Sequence, residues 1–227
     1  MRLYDTLSGE KRDFAPLGDK VTMYVCGPNL YGPCHIGHAL SYIVFDVLRR
    51  YLENRSYQVH HVQNFTDIED RIIEVSQRED QSIGELAERY IHRFHQEMDA
   101  LGIKRAHDYP RATQYIDRMI EMVQRMIANG HAYDLDGDVY FRVRAFKSYG
   151  RLSKRPLDDM MSGTRVEVDD RKEDPMDFAL WKSSRDGEPS WPSPWGSGRP
   201  GWHIECSAMS LSLLGDHVDI HLSLIHI

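Results

Sequence analysis

Residues 20–26, KVTMYVC, are an apolar, β-prone run that opens directly into CGPNLYGPCHIGH, a stretch punctuated by glycine and proline. Beyond it, ALSYIVFDVLRRYLENR carries Ile43, Val44, Val47, Leu48 and Tyr51 at helical spacing, so the local order is strand, glycine-rich turn, helix. SYQVHHVQNF reads as a second strand, and Asp67 stands where an N-cap would stand ahead of a helix in IEDRIIEVSQ. Strand alternating with helix predicts a parallel α/β arrangement.

The next segments are helical and then change character. Ser82-Ile83-Gly84-Glu85 has the form of a capping box, and the helix it opens runs to Leu101 and stops at Gly102. Ile116, Met119, Ile120, Val123, Met126 and Ile127 form another apolar stripe, closed by Gly130, and both stripes read as core. Tyr133 to Val143 places Asp136-Gly137 between two β-prone arms, a hairpin signal, and here the alternation breaks, which predicts an insertion. WPSPWGSGRPGW, residues 191–202, holds three of the four tryptophans and reads as an ordered loop that packs aromatics. HIECSAMSLSLLG then starts another helix.

Composition narrows the class. At 227 residues there is room for one large or two modest domains. Lys plus Arg is 28 and Asp plus Glu 35, a net charge of −7, so bulk positive charge does not grip nucleic acid here and any such contact must be local. The absence of a run of ~18 apolar residues and of an apolar core in MRLYDTLSGEKRDF predicts a cytoplasmic protein. Cys26, Cys34 and Cys206 are odd in number and too few for a disulfide framework, which predicts reduced or metal-bound thiols.

Three constellations could carry chemistry. His35-Ile36-Gly37-His38 lies where a glycine-rich turn meets a helix N-terminus, whose free N–H groups and dipole attract anions. Two imidazoles can donate to phosphate oxygens, and the bare Gly37 lets a flat base or ribose approach, which suits ATP; a helix start with two exposed histidines is the competing reading. Cys26 and Cys206 lie 180 residues apart and match no zinc-knuckle spacing, so the spacing alone favours buried unreactive thiols over a metal pair. Asn64-Phe65-Thr66-Asp67 follows the second strand, at the carboxyl edge where α/β sheets bind ligands, with helix capping as the alternative for Asp67. Cys34 reads as incidental, and Arg165 and Glu167, in a charge-rich stretch, receive no role.

Taken together, VCGPNLYGPCHIGHA, NFTDIEDRI, DPMDFALWK and SPWGSGRPGWHIECSAMS resemble cysteinyl-tRNA synthetases, class I aminoacyl-tRNA ligases, over residues 1 to about 221. The resemblance implies a Rossmann-like parallel-sheet catalytic domain split by a connective insertion: residues 1–112 its first half, 113–195 the insertion, 196–221 the start of an incomplete second half. It implies ATP-dependent ligation of L-cysteine to tRNA(Cys) through cysteinyl adenylate, with Mg2+ accompanying ATP. His35 and His38 match the family's HIGH motif and take the catalytic role, Gly27, His35, Gly37 and His38 the ATP contacts, and Thr66 and Trp202 the amino-acid pocket. Cys26 and Cys206 match two ligands of a zinc ion whose open position takes the substrate thiolate; serine's hydroxyl ionises less readily, so no editing is needed.

The departures are equally specific. The family's histidine and glutamate zinc ligands, from an FPHHENE-type segment, are missing, as are the KMSKS loop and the anticodon-binding region. The zinc site is therefore half built unless His217, His221 or His226 substitutes. The closing LSLIHI resembles a translated sequencing adapter, so residues 222–227 read as a non-native tail. Asn29, Leu40 and Glu69 differ from the family's usual residues. The chain as given is expected not to charge tRNA. A mycothiol-pathway cysteine ligase, sharing fold, ATP and zinc, and a non-catalytic truncated nucleotide-binding fragment are the alternatives.

Overall fold

The chain begins with a polar antiparallel ribbon, β1 (Arg2–Asp5) against β2 (Glu10–Asp13), before the first buried strand. The computed structural model describes residues 1–154, 157, 170–201 and 203–222. They divide into two compact units, one of Met1–Ala15 with the described part of Ile120–Trp202, the other of Pro16–Met119 with the chain from His203.

In the second unit, β3 (Lys20–Val25) crosses over through α1 (Ile36–Asn54) to β4 (Gln58–Gln63), and the two strands pair in parallel with Val21 opposite Val59. α2 (Asp70–Glu79) and α3 (Ile83–Ala100) follow, then a short 3-10 turn, Ala112–Tyr115, leading into α4 (Ile116–Ala128), of which only the residues to Met119 belong to this unit. The last helix, α5 (Ile204–Leu214), precedes β10 (Ile220–Leu222), which pairs in parallel with the other side of β3. The sheet order β10-β3-β4 makes β3 the central strand, and Met23 and Tyr24 at its centre have no exposure. Asp219 locks the register: its carboxylate accepts from the Thr22 N–H (2.8 Å), the Thr22 hydroxyl (2.9 Å) and the Leu17 N–H (2.7 Å). The chain thus leaves β3 for one neighbour and returns on the other side, the switch point at which parallel sheets hold ligands.

The first unit is antiparallel. β5 (Ala132–Leu135), β6 (Asp138–Phe141), β7 (Phe178–Ser183), β8 (Trp191–Ser193) and β9 (Gly196–Pro200) form one sheet in the order β5-β6-β7-β9-β8. The Asp136-Gly137 hairpin forms as expected, both residues at positive φ (55° and 92°). The tryptophan-rich segment, expected as a loop, is instead the β8–β9 hairpin. Its aromatics do pack: Trp195 lies 6.1 Å from the buried Trp181, and a Cβ at Gly198 would stand 2.3 Å from the Trp181 indole nitrogen.

Two local expectations are corrected. The apolar stripe of α1 marks the helix but not its buried face: Ile43, Val44, Val47 and Tyr51 are exposed, whereas Ser41, Tyr42, Phe45, Asp46, Arg49 and Leu52 are buried. The buried face is acceptable because its charges are satisfied. Asp46 accepts from Arg50 (2.6 Å) and from the Lys104 N–H (3.0 Å), while Arg49 donates to Glu53 (2.7 Å) and to the Arg105 carbonyl (2.6 Å). Asp67 caps no helix of its own; α2 starts at Asp70, and the Asp67 carboxylate accepts from the Thr113 N–H (3.0 Å) and hydroxyl (2.6 Å). Tertiary partners arriving 46 residues later outcompete the local cap. The capping box Ser82–Glu85 forms as expected, and α3 ends at Ala100, with Leu101 as its C-cap and Gly102 in the left-handed region. Among the described residues no helix is long and apolar enough to cross a membrane.

Beside the Arg49 network, His61 is 5% exposed and neither ring nitrogen finds a partner among the described residues. Burial, reinforced by the Arg49 charge, holds its pKa down to about 4. Unfolding restores an ordinary value near 6.5, so the unfolded chain binds the extra proton first. This group's contribution is therefore intact above about pH 6.5 and is lost as pH falls toward 4, on the order of 3 kcal/mol in total. Denaturant melts at about pH 7 and about pH 5 should show this loss, and His61→Leu should flatten that part of it.

Candidate functional site

β3 and β4 end side by side, and the extended segments that continue them stay in contact. The Leu30 N–H donates to the Thr66 carbonyl (3.1 Å) and the Thr66 N–H to the Pro28 carbonyl (3.3 Å), so Asn29 and Thr66 form a parallel bridge beyond the last residues of the strands. Asn64 ties the edge together from a position with no exposure. Its Oδ1 accepts from the Gly27 N–H (3.0 Å) and, at 3.9 Å, from the Cys206 thiol, while its Nδ2 donates to Thr66 Oγ1 (3.3 Å). Gly27 is forced by this approach, because a Cβ there would lie 1.5 Å from the Asn64 carbonyl oxygen.

Cys26 directly follows β3, and Cys206 lies in the first turn of α5. The fold brings their sulfurs to 3.9 Å, both reduced, Cys206 buried and Cys26 half-buried. Two thiolates on one tetrahedral zinc, each at ~2.3 Å, stand about 3.8 Å apart, so this pair matches half of such a site. The hydrogen bond with Cys26, together with burial, pushes the Cys206 thiol well above its usual range. Neighbouring Glu205, also buried and with one carboxylate oxygen lacking a partner among the described residues, is raised to about 7 by burial. Among the described residues no group of three or more His, Cys, Asp or Glu side chains gathers for a metal. His221 stacks on Tyr24 (5.3 Å between rings) and His217 is exposed; His226 lies outside the described residues.

The histidine pair forms the start of α1. His35 is its N-cap, with Nδ1 accepting from the Gly37 N–H (3.1 Å), and His38 Nδ1 accepts from the His35 N–H (3.2 Å), a reciprocal capping box built from two imidazoles. The rings stack with centroids 3.9 Å apart. A nitrogen that accepts carries no proton, so this bonding assigns both neutral rings an Nε2–H donor. Burial, then the neighbouring His35, lowers the His38 pKa, with the Glu97 charge acting against them. The junction thus offers two imidazole donors at the positive end of a helix, His35 being exposed.

Of the residues singled out from the sequence, Cys26, Cys206, Gly27 and Thr66 converge at one sheet edge, and His35, Gly37 and His38 form the helix start that the same loop leads into. Trp202, Arg165 and Glu167 lie outside the described residues. Asn64 is the residue whose importance the sequence understated; the one available signal was its place immediately after β4.

A family model described as the class I (C) tRNA synthetase catalytic domain matches residues 14–225. A cysteine–tRNA ligase of Caldicellulosiruptor saccharolyticus is 53% identical over 97% of this chain and 48% of its own length, and one of Trichlorobacter lovleyi is 55% identical over 97% and 46%. The chain spans about half the length of these curated relatives. In fold it is similar to Mycobacterium tuberculosis methionyl-tRNA synthetase in complex with methionyl-adenylate, with a TM-score of 0.62 at 17% identity over 89% of this chain and 51% of that one.

The contact at Gly27 gives a direct test. Gly27→Ala should destabilise the chain by about 1–3 kcal/mol, since backbone must move, whereas Gly32→Ala, with nothing within 4 Å of its Cβ position, should leave the urea midpoint nearly unchanged.

Proposed function

The chain belongs to the class I (C) tRNA synthetase catalytic-domain family, and from that membership we propose that it carries the cysteine-activating part of a cysteine–tRNA ligase. The observation that carries this reading is the pair of thiols 3.9 Å apart at the switch point, reached by the same loop that leads into the two-histidine helix start. Relatives named cysteine–tRNA ligase support tRNA, rather than an amino-sugar, as the acceptor.

In this reading the parallel-sheet unit, Pro16–Met119 with the chain from His203, is the catalytic domain, and the antiparallel sheet of β5 to β9 belongs to the insertion. Nε2–H of His35 and of His38, at the positive end of α1, hold the phosphates of Mg2+-ATP and stabilise charge as it shifts at the α-phosphorus. The substrate carboxylate attacks that phosphorus and pyrophosphate leaves; a terminal ribose hydroxyl of tRNA(Cys) then attacks the acyl carbon of the cysteinyl adenylate, losing its proton as the ester forms and AMP leaves. No protein nucleophile is needed, and positioning supplies much of the rate. Thr66 and Trp202 are assigned to the amino-acid pocket, Gly27 and Gly37 to the close approach of the nucleotide. Cys26 and Cys206 would hold zinc, which when bound supplies a Lewis-acidic position selective for a thiolate. Among the described residues no third His, Cys, Asp or Glu gathers with them, so any further ligand would have to come from outside these residues.

In the complete ligase, Cys26→Ser or Cys206→Ser should lower zinc content and reduce the preference for cysteine over serine in ATP–pyrophosphate exchange by on the order of 100-fold or more. Retained zinc and unchanged preference would remove the basis of the assignment. The 227-residue polypeptide, offered ATP, cysteine and tRNA, should form no cysteinyl-tRNA in an acid-gel charging assay.

A further inference from the structure

The loop between β3 and α1 is fixed at its start by Asn64 and along its course by the Leu30–Thr66 and Thr66–Pro28 hydrogen bonds. Its last anchor comes from a different element. The Cys34 N–H, one residue before the N-cap His35, donates to Glu97 Oε2 on α3 (3.2 Å). Oε1 of the same carboxylate accepts from Arg93 Nε (2.7 Å), an i,i+4 partner that fixes the carboxylate's orientation and offsets its charge. One turn earlier on α3, Phe94 packs edge-on to Tyr42 (5.5 Å), which stacks against His38 (6.3 Å). The start of α1 is thus held against α3 at a polar point and an aromatic point.

We propose that Glu97 is a positioning residue for the nucleotide bed, setting through the Cys34 amide the backbone from which His35 and His38 present their Nε2–H groups. The proposal rests on the reading of those histidines as ATP-phosphate contacts. A carboxylate repels phosphate, so Glu97 makes no contact with ATP; it acts on the loop. Nor is its hydrogen bond a mere helix cap, because the helix already has a complete one in His35 and His38. What Glu97 adds is the placement of that cap relative to α3. The Cys34 thiol lies against the same carboxylate, and burial followed by that negative charge pushes it up to about 12, which keeps it a protonated donor rather than a competing anion.

The test compares Glu97→Ala with Glu97→Gln in this chain. The readouts are calorimetric binding of adenosine 5′-(β,γ-imido)triphosphate, binding of cysteine, amide exchange at Cys34 and the ring resonances of His35 and His38. Removing a hydrogen bond to a charged acceptor should weaken nucleotide binding roughly 10- to 100-fold in Glu97→Ala and release Cys34 exchange. Glu97→Gln, which keeps an acceptor oxygen, should recover most of the loss, and cysteine binding should stay unchanged in both. Nucleotide and cysteine binding weakened equally, or no recovery by glutamine, would reduce Glu97 to general stabilisation and overturn the proposal. If the unaltered chain binds no nucleotide, the phosphate reading of the histidines fails, and exchange at Cys34 with the imidazole resonances decides the positioning role alone: shifted in Glu97→Ala and restored in Glu97→Gln supports it, unmoved refutes it.

Discussion

Two strands that end side by side must diverge or find something to hold them, and here a buried amide does so where the backbone ladder thins to one bridge. Asn64 accepts the Gly27 N–H with one end and reaches Thr66 with the other, and the Cys206 thiol points at the same oxygen. Gly27 is itself buried, so without Asn64 its N–H would be a buried, unsatisfied donor. Gly27 follows from the same closeness, since the Asn64 backbone fills the space any side chain would need. The loop into α1 and the meeting of the two thiols both depend on this contact.

The histidine pair illustrates how structural and chemical duties can share a side chain. Each imidazole spends Nδ1 on the helix start, and that expenditure fixes the tautomer, leaving Nε2 as a donor. Stacking at 3.9 Å keeps both rings in one orientation. Burial depresses the His38 pKa, so that ring stays neutral and its donor is tied to geometry rather than to charge. An anion at this junction meets prearranged dipoles, which is the economical way to stabilise charge that develops during a reaction.

The thiol pair obeys the opposite electrostatics. Cys206 and Glu205 occupy adjacent positions in a turn where burial penalises negative charge on both, and each is held toward its neutral form. Such surroundings are hostile to two thiolates alone and hospitable to them with a divalent cation, whose charge reverses the balance. The 3.9 Å separation accords with that arrangement.

How much of this was legible beforehand depended on range. Sequence determined the elements whose causes lie within a few residues: the strand, glycine turn and helix around CGPNLYGPCHIGH, the Ser82–Glu85 box, the Asp136-Gly137 hairpin, and the motif resemblance that pointed to the family. It could not say which face of α1 is buried, because Asp46 and Arg49, beside their local partners Arg50 and Glu53, also rely on Lys104 and Arg105, more than fifty residues away. Asp67, locally a cap, was claimed by Thr113 for the same reason, and the tryptophan-rich stretch became a hairpin because β7 offered it an edge. Only tertiary structure decided that Cys26 and Cys206, 180 residues apart, face each other, and that Asn64 and Glu97 hold the loop between them and the histidines. Periodicity and capping are short-range physics written in neighbouring residues; the satisfaction of buried polar groups is settled by whatever the fold brings alongside.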